Sequence, residues 1–272
     1  MATTLSALGQ WPNAPLALVV AQVRYEPNPE TEQALLVSRI RDATAGAFPV
    51  TTEVRQVSFV VGDSGTQAPT QEALIALDLR SADGARSIRI QPGAMTYATS
   101  SYQDSQQFAV EWRQMLDALC AGNEVRALRL GLRYVDFIIP TEGHSPEEYV
   151  NGMGSSPEGL GSQSPIAFVL YDFEREQGGR LRVQYGRGYG PPSLPPDLID
   201  SVPPPSFLVA RYNNGLSAVL DMDRWRPALD MMSAEMLAEQ FQILRKDMRT
   251  AFHNVISDLA KSEWQAKDLT GA

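Results

Sequence analysis

The sequence predicts an α+β protein in which duplicated β-α-β4-α units form one curved antiparallel sheet with helices on one face. Three observations carry this. A long central stretch, 126–140, alternates with period two. The order strand, helix, four strands, helix reads once before that stretch and again from it onwards. Two segments, 105–121 and 233–264, carry apolar stripes at helical spacing.

In the central stretch Leu128, Leu130, Leu132 and Tyr134 point one way, while Arg129, Gly131, Arg133, Val135 and Phe137 point the other. The aliphatic side calls for cover by helices, and the arginine side is left for water or a partner. Gly131 suggests a bulge or a close backbone approach.

The remaining elements follow in order. Residues 1–15 read as an arm holding Trp11 and Pro12, and 16–25 as the first strand, with Gln22 and Arg24 on one face and Val19, Ala21 and Val23 on the other. Asn28 is placed to cap a helix with Pro29 at its first position and Glu30 and Glu32 near its positive end; Gly46 and Pro49 stop it. Strands are expected at 54–61, 73–80, 86–91 and 95–99, with a polar loop at 63–70 and a hairpin turn at Asp83-Gly84. Asp104 and Gln107 have capping-box spacing ahead of a helix striped by Phe108, Trp112, Met115, Leu116 and Leu119, which ends at Gly122-Asn123.

Past the central strand, Ser145-Pro146-Glu147-Glu148 signals a short helix, and 152–163 a loop. Strands 166–173 and 180–186 form a hairpin around Gly178-Gly179. Residues 187–205 hold seven prolines and predict a stiff, extended connection. Strands 207–212 and 216–222 form another hairpin around Asn213-Asn214-Gly215, and one helix runs from Ser233 to about Trp264. The two halves, 16–124 and 125–272, each open on a strand with an Arg-Tyr pair, Arg24-Tyr25 and Arg133-Tyr134. This order resembles the TATA-binding-protein and helix-grip class of folds, a likeness of fold that fixes no function.

Bulk properties bound the function. The chain has 272 residues, 43% of them apolar, which is enough for a sizeable core. Its net charge of −9 argues against a surface that grips nucleic acid throughout. The cations are twenty Arg and three Lys, either a preference for planar paired recognition or the mark of a GC-rich genome. The single Cys120 excludes an internal disulfide and an all-cysteine metal site. No apolar run is long enough for a bilayer and no secretory signal is visible, so a cytoplasmic location without a membrane partner is expected.

Catalytic side chains are few. His144 reads as a loop residue, His253 as a packed helix residue and Cys120 as structural; no GxSxG, HExxH or P-loop occurs. Asp78, Asp136, Asp172, Asp221 and Asp223 lie on strands, where converging acids would hold Mg²⁺ and dispersed ones would pair with arginines. The run from Tyr185 to Gly190 reads as a glycine-rich loop in which Arg187 and backbone amides would cradle an anion, or as a plain loop. With the aliphatic sides turned inward, Gln22, Arg24, Arg89, Arg129, Arg133, Arg180, Arg182, Gln184 and Arg211 share the open face with Asp78 and Asp221. That arrangement is either a surface for phosphates, nucleic acid or an acidic partner, or a cross-strand Arg-Asp ladder with no partner.

The segments PLALVVAQVRYEP, LGLRYVDFI and FHNVISDLAKSEW resemble a sporadically distributed bacterial family of uncharacterised proteins. Leu132, Arg133, Tyr134, Asp136 and Ile138 match its central motif; Phe252, His253, Ile256 and Trp264 match its C-terminal one. The resemblance implies no activity or cofactor, and its patchy distribution implies a conflict or accessory system.

The expectation is therefore a binding or regulatory protein without a cofactor. Its candidate residues are Arg24, Arg129, Arg133, Tyr134, Arg180, Arg182, Arg187 and Arg211, facing an anionic or protein partner. Net charge disfavours nucleic acid, and homo-oligomers fit the same reading. Two alternatives stand: a helix-grip binder with a cavity between the long helix and the sheet, and a metal-dependent hydrolase or nuclease using the strand carboxylates.

Overall fold

The computed structural model describes residues 11, 13–27, 33–61, 67–153, 166–212 and 214–265, with backbone alone for part of 33–74 and for 228–229. Nine antiparallel strands form one sheet in the order β2-β3-β4-β5-β1-β6-β9-β8-β7. The first half supplies β1 (Leu16–Tyr25), α1 (Gln33–Thr44), β2 (Val50–Val61), β3 (Gln67–Arg80), β4 (Arg86–Gln91), β5 (Ala94–Thr99) and α2 (Ser105–Cys120). The second supplies β6 (Val125–Ile138), β7 (Ala167–Glu174), β8 (Arg180–Tyr189), α3 (Ser206–Val209), β9 (Leu216–Met232), α4 (Ala234–Val255) and α5 (Asp258–Glu263).

β1 and β6 pair antiparallel at the centre. Outward from β1 run β5, β4 and β3; outward from β6 run β9, β8 and β7. The halves therefore share one pairing order, except that β2 has no counterpart among the described residues. The sequence predicted a further strand over 207–212. Those residues instead form the turn of α3, entered from Pro205, with Leu208 buried. A proline at that entry has its φ preset near the helical value and needs no amide donor in the first turn.

α2 and α4 pack on one face. Phe108, Trp112, Met115, Leu116 and Leu119 of α2, and Leu237, Phe241, Leu244 and Met248 of α4, are buried against Val19, Ala21, Val23, Leu130, Leu132, Leu220 and Met222 of the strands. Asp104 caps α2 by accepting from the Gln106 and Gln107 amides, both at 2.7 Å. The helix ends at Ala121, which is left-handed, ahead of Gly122. The expected cap of α1, residues 28–32, lies outside the described residues. So do 63–66 of the expected polar loop at 63–70; its other half, 67–70, is not loop but the start of β3.

Two expectations need correction here. The C-terminal helix is not continuous to Trp264. Ile256 is extended, bridges Val150, and gives way to Ser257, whose hydroxyl accepts from the Ala260 amide and starts α5. α4 alone is thus about 33 Å long. Leu128 does not join the buried aliphatic row. A register shift between Ala127 and Arg129 against β9 turns Leu128 out to solvent, and Ala127 takes its place in the core.

The opposite face of the sheet is not bare. The proline-rich stretch after β8 crosses it as a strap, carrying Leu194, Leu198, Val202 and, through α3, Leu208 onto Ala17, Leu18, Val20, Val135 and Phe137. The strap is tied down at Ser217 Oγ to the Gly190 carbonyl (2.6 Å), Ser87 Oγ to the Ser201 carbonyl (2.7 Å) and Arg80 Nη2 to the Asp200 carbonyl (3.2 Å). The open face therefore has an apolar half under the strap and a polar half beside it.

Candidate functional site

The polar half is set by register. Across β8, β9 and β6, Arg182 stands opposite Asp223 and Asp223 opposite Arg133; one row on, Arg180 faces Trp225 and Trp225 faces Gly131. Gly131 in turn faces Gln22, then Thr96, Arg89 and Asp78. Alternation puts all of these side chains on the same side. The missing side chain at Gly131 makes room: the Arg129 guanidinium lies 3.6 Å from where a Cβ would stand.

Ion pairs organise the arginines. Arg89 grips Asp78 with two nitrogens (2.7 and 2.8 Å), and Arg133 grips Asp221 in the same way (both 2.7 Å). Arg133 also reaches Asp197 of the strap at 2.5 Å. Arg129 joins Gln22 (2.9 Å) and Asp223 (3.1 Å); Arg180 and Arg182 share Asp172 (2.8 and 3.2 Å). This is the cross-strand ladder that the alternation allowed for, extended by the strap.

The local electrostatics follow. Burial works against the charge on Arg133, but its bonds to Asp221 and Asp197 outweigh that and hold its pKa raised. Burial also opposes ionisation of Asp197, yet Arg133 keeps its carboxyl below the usual range. Asp223 goes the other way: burial raises it, and the attraction of Arg129 and Arg133 does not fully compensate.

Between the strap and this ladder lies a cleft of about 880 Å³. Arg89, Arg129, Arg133 and Arg182 line it with Asp197, Asp221 and Asp223, so its charged lining carries one more cation than anion; Gln22, Gln184, Thr96 and Ser193 add neutral polar groups. The guanidinium carbons of Arg129 and Arg182 sit 5.2 and 5.5 Å from the Trp225 ring centroid. Stacking of this kind keeps planar donors oriented. Arg182 spends one nitrogen on Asp172, and its Nε is buried without a hydrogen-bond partner among the described residues.

The predicted residues divide. Arg129, Arg133 and Arg182 line the cleft, and Arg180 stands next to it on the same face. Arg24 is exposed on that face, opposite Arg129, with no ion pair among the described residues. Three candidates are displaced. Tyr134 points to the helix side, 6.4 Å from the Tyr102 ring, and burial drives its hydroxyl pKa far up. Arg187 is not on a glycine-rich loop: β8 continues to Tyr189, and alternation turns Arg187 to the helix side, where it is buried against Glu147 at 2.5 Å. Arg211 follows α3, stacks on Phe207 and does not belong to the sheet.

Asp223 was expected as a strand carboxylate and not as part of the arginine site, and Trp225 and Asp197 were not among the expected site residues. Trp225 continues the alternation of Asp221 and Asp223, a signal that the expected end of the strand at 222 cut off. For Asp197, which approaches Arg133 from a connection read as a spacer, the sequence has no local signal.

Both alternative sites look different in three dimensions. Phe241, Leu244 and Met248 of α4 are buried against the sheet where the helix-grip reading places a cavity. Four of the five strand carboxylates are held by arginines, and among the described residues no three His, Cys, Asp or Glu are grouped to hold a metal. Asp136 is the exception. It is buried with one oxygen lacking a hydrogen-bond partner among the described residues, and burial, then the Asp221 charge, pushes it up to about 8.

The other reactive groups behave as packed residues. Cys120 is buried, with its thiol pushed up to about 11. His253 stacks edge-on to Trp11, and burial lowers its pKa. His144 lies between Glu148 (3.3 Å) and Glu263 (3.8 Å) at the surface.

No family model matches the chain, and no curated protein does. Among solved structures it is similar to the rolling circle replication initiator protein from Geobacillus stearothermophilus, at 8% identity and a TM-score of 0.29 over 89% of this chain and 85% of that one. A likeness that low carries no argument about function. None of the described helices is long and apolar enough to cross a membrane.

Proposed function

We propose that this is a binding protein whose cleft between strap and sheet takes an anionic group on its partner. The observation that carries the reading is the Arg129-Trp225-Arg182 stack at the cleft wall: two oriented guanidinium groups whose hydrogen-bonding capacity the ladder does not exhaust. Arg89 and Arg182 line the cleft while their carboxylate partners, Asp78 and Asp172, do not, so an added phosphate or carboxylate would meet the guanidinium donors that those pairings leave over. Gln22, Gln184 and Thr96 supply neutral donors and acceptors for the rest of the ligand.

The test is calorimetric titration with inorganic pyrophosphate and with a ten-nucleotide single-stranded DNA, on the wild-type chain and on Arg182→Glu. Binding of either probe that weakens at least tenfold in the variant is the expected result. A chain that binds neither, or binds both equally well after the substitution, removes the proposal. The two probes separate a small-anion site from a nucleic-acid groove.

A further inference from the structure

The two edges of the sheet differ in chemistry. At the β2 edge the described side chains include Thr51, Thr52, Glu53 and Arg55, all exposed and polar, with a Glu53–Arg55 ion pair, beside an exposed Val50. Polar and charged residues there are how a sheet edge avoids pairing with another chain. The β7 edge has less of that protection, its charges being Asp172, bonded to Arg180 and Arg182, and Glu174 at its end. Its sequence, AFVLYDFE, contains no cation or proline, and its ladder with β8 runs without a register shift. Among the described residues only β8 pairs with it.

Exposure is heavy on both faces of this strand: Phe168 at 68% and Leu170 at 46% on the open side, Tyr171 at 42% and Phe173 at 46% on the helix side. A lone helix or a flat protein surface would cover one of these faces. A partner strand that is itself apolar on both faces covers the two together.

We propose that β7 is a homodimer interface: a second copy pairs antiparallel along its outer edge, about a two-fold axis at Leu170. The register is selected by side-chain pairing on each face. Centred on Leu170, the helix side matches Val169 with the partner's Tyr171 and Ala167 with the partner's Phe173, small against large. The open side sets Leu170 against its own copy and Phe168 against an Asp172 already bonded to Arg180 and Arg182. No two carboxylates meet.

Centred on Tyr171, the axis would instead push Leu170 and Phe168 against Asp172 and Glu174, and Glu174 is 87% exposed. Three aromatic rings and a leucine from each copy, plus the strand backbone, bury on the order of 1,000 Å², the lower end for a specific interface. The expected dissociation constant is therefore micromolar.

The measurement is sedimentation equilibrium of the full chain from about 1 to 200 μM. Leu170 is exposed and does not line the cleft, so Leu170→Lys leaves both the fold and the anion site intact; circular dichroism and pyrophosphate titration check this. Wild type should shift from monomer to dimer across the range, and Leu170→Lys should remain monomeric at least tenfold higher in concentration. Because the axis sets residue 170 against itself, mixing Leu170→Lys with Leu170→Glu should restore a dimer that neither forms alone. A wild-type monomer throughout, or a dimer indifferent to Leu170→Lys, overturns the proposal. Restored pairing is the result that a merely destabilised fold would not give.

Discussion

The two faces of the sheet are built from the same strands and held by different physics. On the helix side, alternate residues of β1, β6 and β9 are aliphatic, and α2 and α4 close over them with aromatic and leucine side chains. On the other side the same strands present a ladder of arginines and aspartates, with the strap for cover. Non-directional burial supplies the stability of the first face. The second face depends on geometry, since an ion pair contributes only where both partners are held in place. Each face also contains intrusions of the other's chemistry: Asp136 and the buried Arg187–Glu147 and Arg224–Asp247 pairs among the packed residues, and the apolar patch under the strap. The contrast teaches that stability and recognition have been assigned to opposite surfaces of one layer, and that the places where the assignment is broken are the informative ones.

The largest expected loss tests the packed face. Trp112 is buried and touches Phe241 at 5.9 Å between ring centroids, across the contact of α2 with α4. Trp112→Ala should cost about 3–5 kcal/mol in urea unfolding. A loss below about 1 kcal/mol would mean that this face is not where the stability lies.

The hairpin at Gly178-Gly179 follows. Gly179 is left-handed, at φ +80°, and a Cβ there would stand inside the Trp225 carbonyl oxygen and 2.8 Å from Arg224 Nη1. Arg224 is fully buried, bonded to Asp247 at 2.8 Å and to the Gly178 carbonyl at 2.8 Å. Gly179→Ala should therefore destabilise by about 2–3 kcal/mol and loosen β7 and β8, seen as faster amide exchange in both strands.

On the open face, Arg133→Ala leaves Asp221 buried and releases Asp197. The expected cost is about 2 kcal/mol, with faster proteolysis of the strap. If only the strap responds and global stability is unchanged, the ladder serves the cleft and not the fold.

The last effect is a dependence on pH. Asp136 is raised from 3.8 when unfolded to about 8 when folded, so between these values the native chain holds a proton that the unfolded chain has released. Its contribution to stability is whole below the lower value and falls as the pH rises through the window, by at most about 1.4 kcal/mol per unit. Asp136→Asn should flatten that slope between pH 5 and pH 8 while the remaining carboxylates titrate as before. Equal slopes in the two proteins would show Asp136 to be ionised in the fold.

Much of this arrangement was written in local pattern. Period-two alternation is a property of a single strand, so Leu130, Leu132, Arg129 and Arg133 declare their faces without any partner in view. Caps and turns are equally local: Asp104, Asp83-Gly84 and Gly178-Gly179 act on backbone two or three residues away. Alternation fails as a guide once a strand slips. The bulge that exposes Leu128 is a mismatch with β9, created by a segment a hundred residues distant.

What the chain determined by itself is most of the elements and the segregation of aliphatic from arginine-bearing positions, because helical and extended periodicity are set by neighbours in sequence. What only the tertiary structure decided is which arginine meets which aspartate, where the prolines lie, and that Tyr134 and Arg187 turn away from the site. Those outcomes depend on register between strands and on a strap folding back over the sheet. Both are fixed by the total burial of the layer, not by any residue's immediate surroundings.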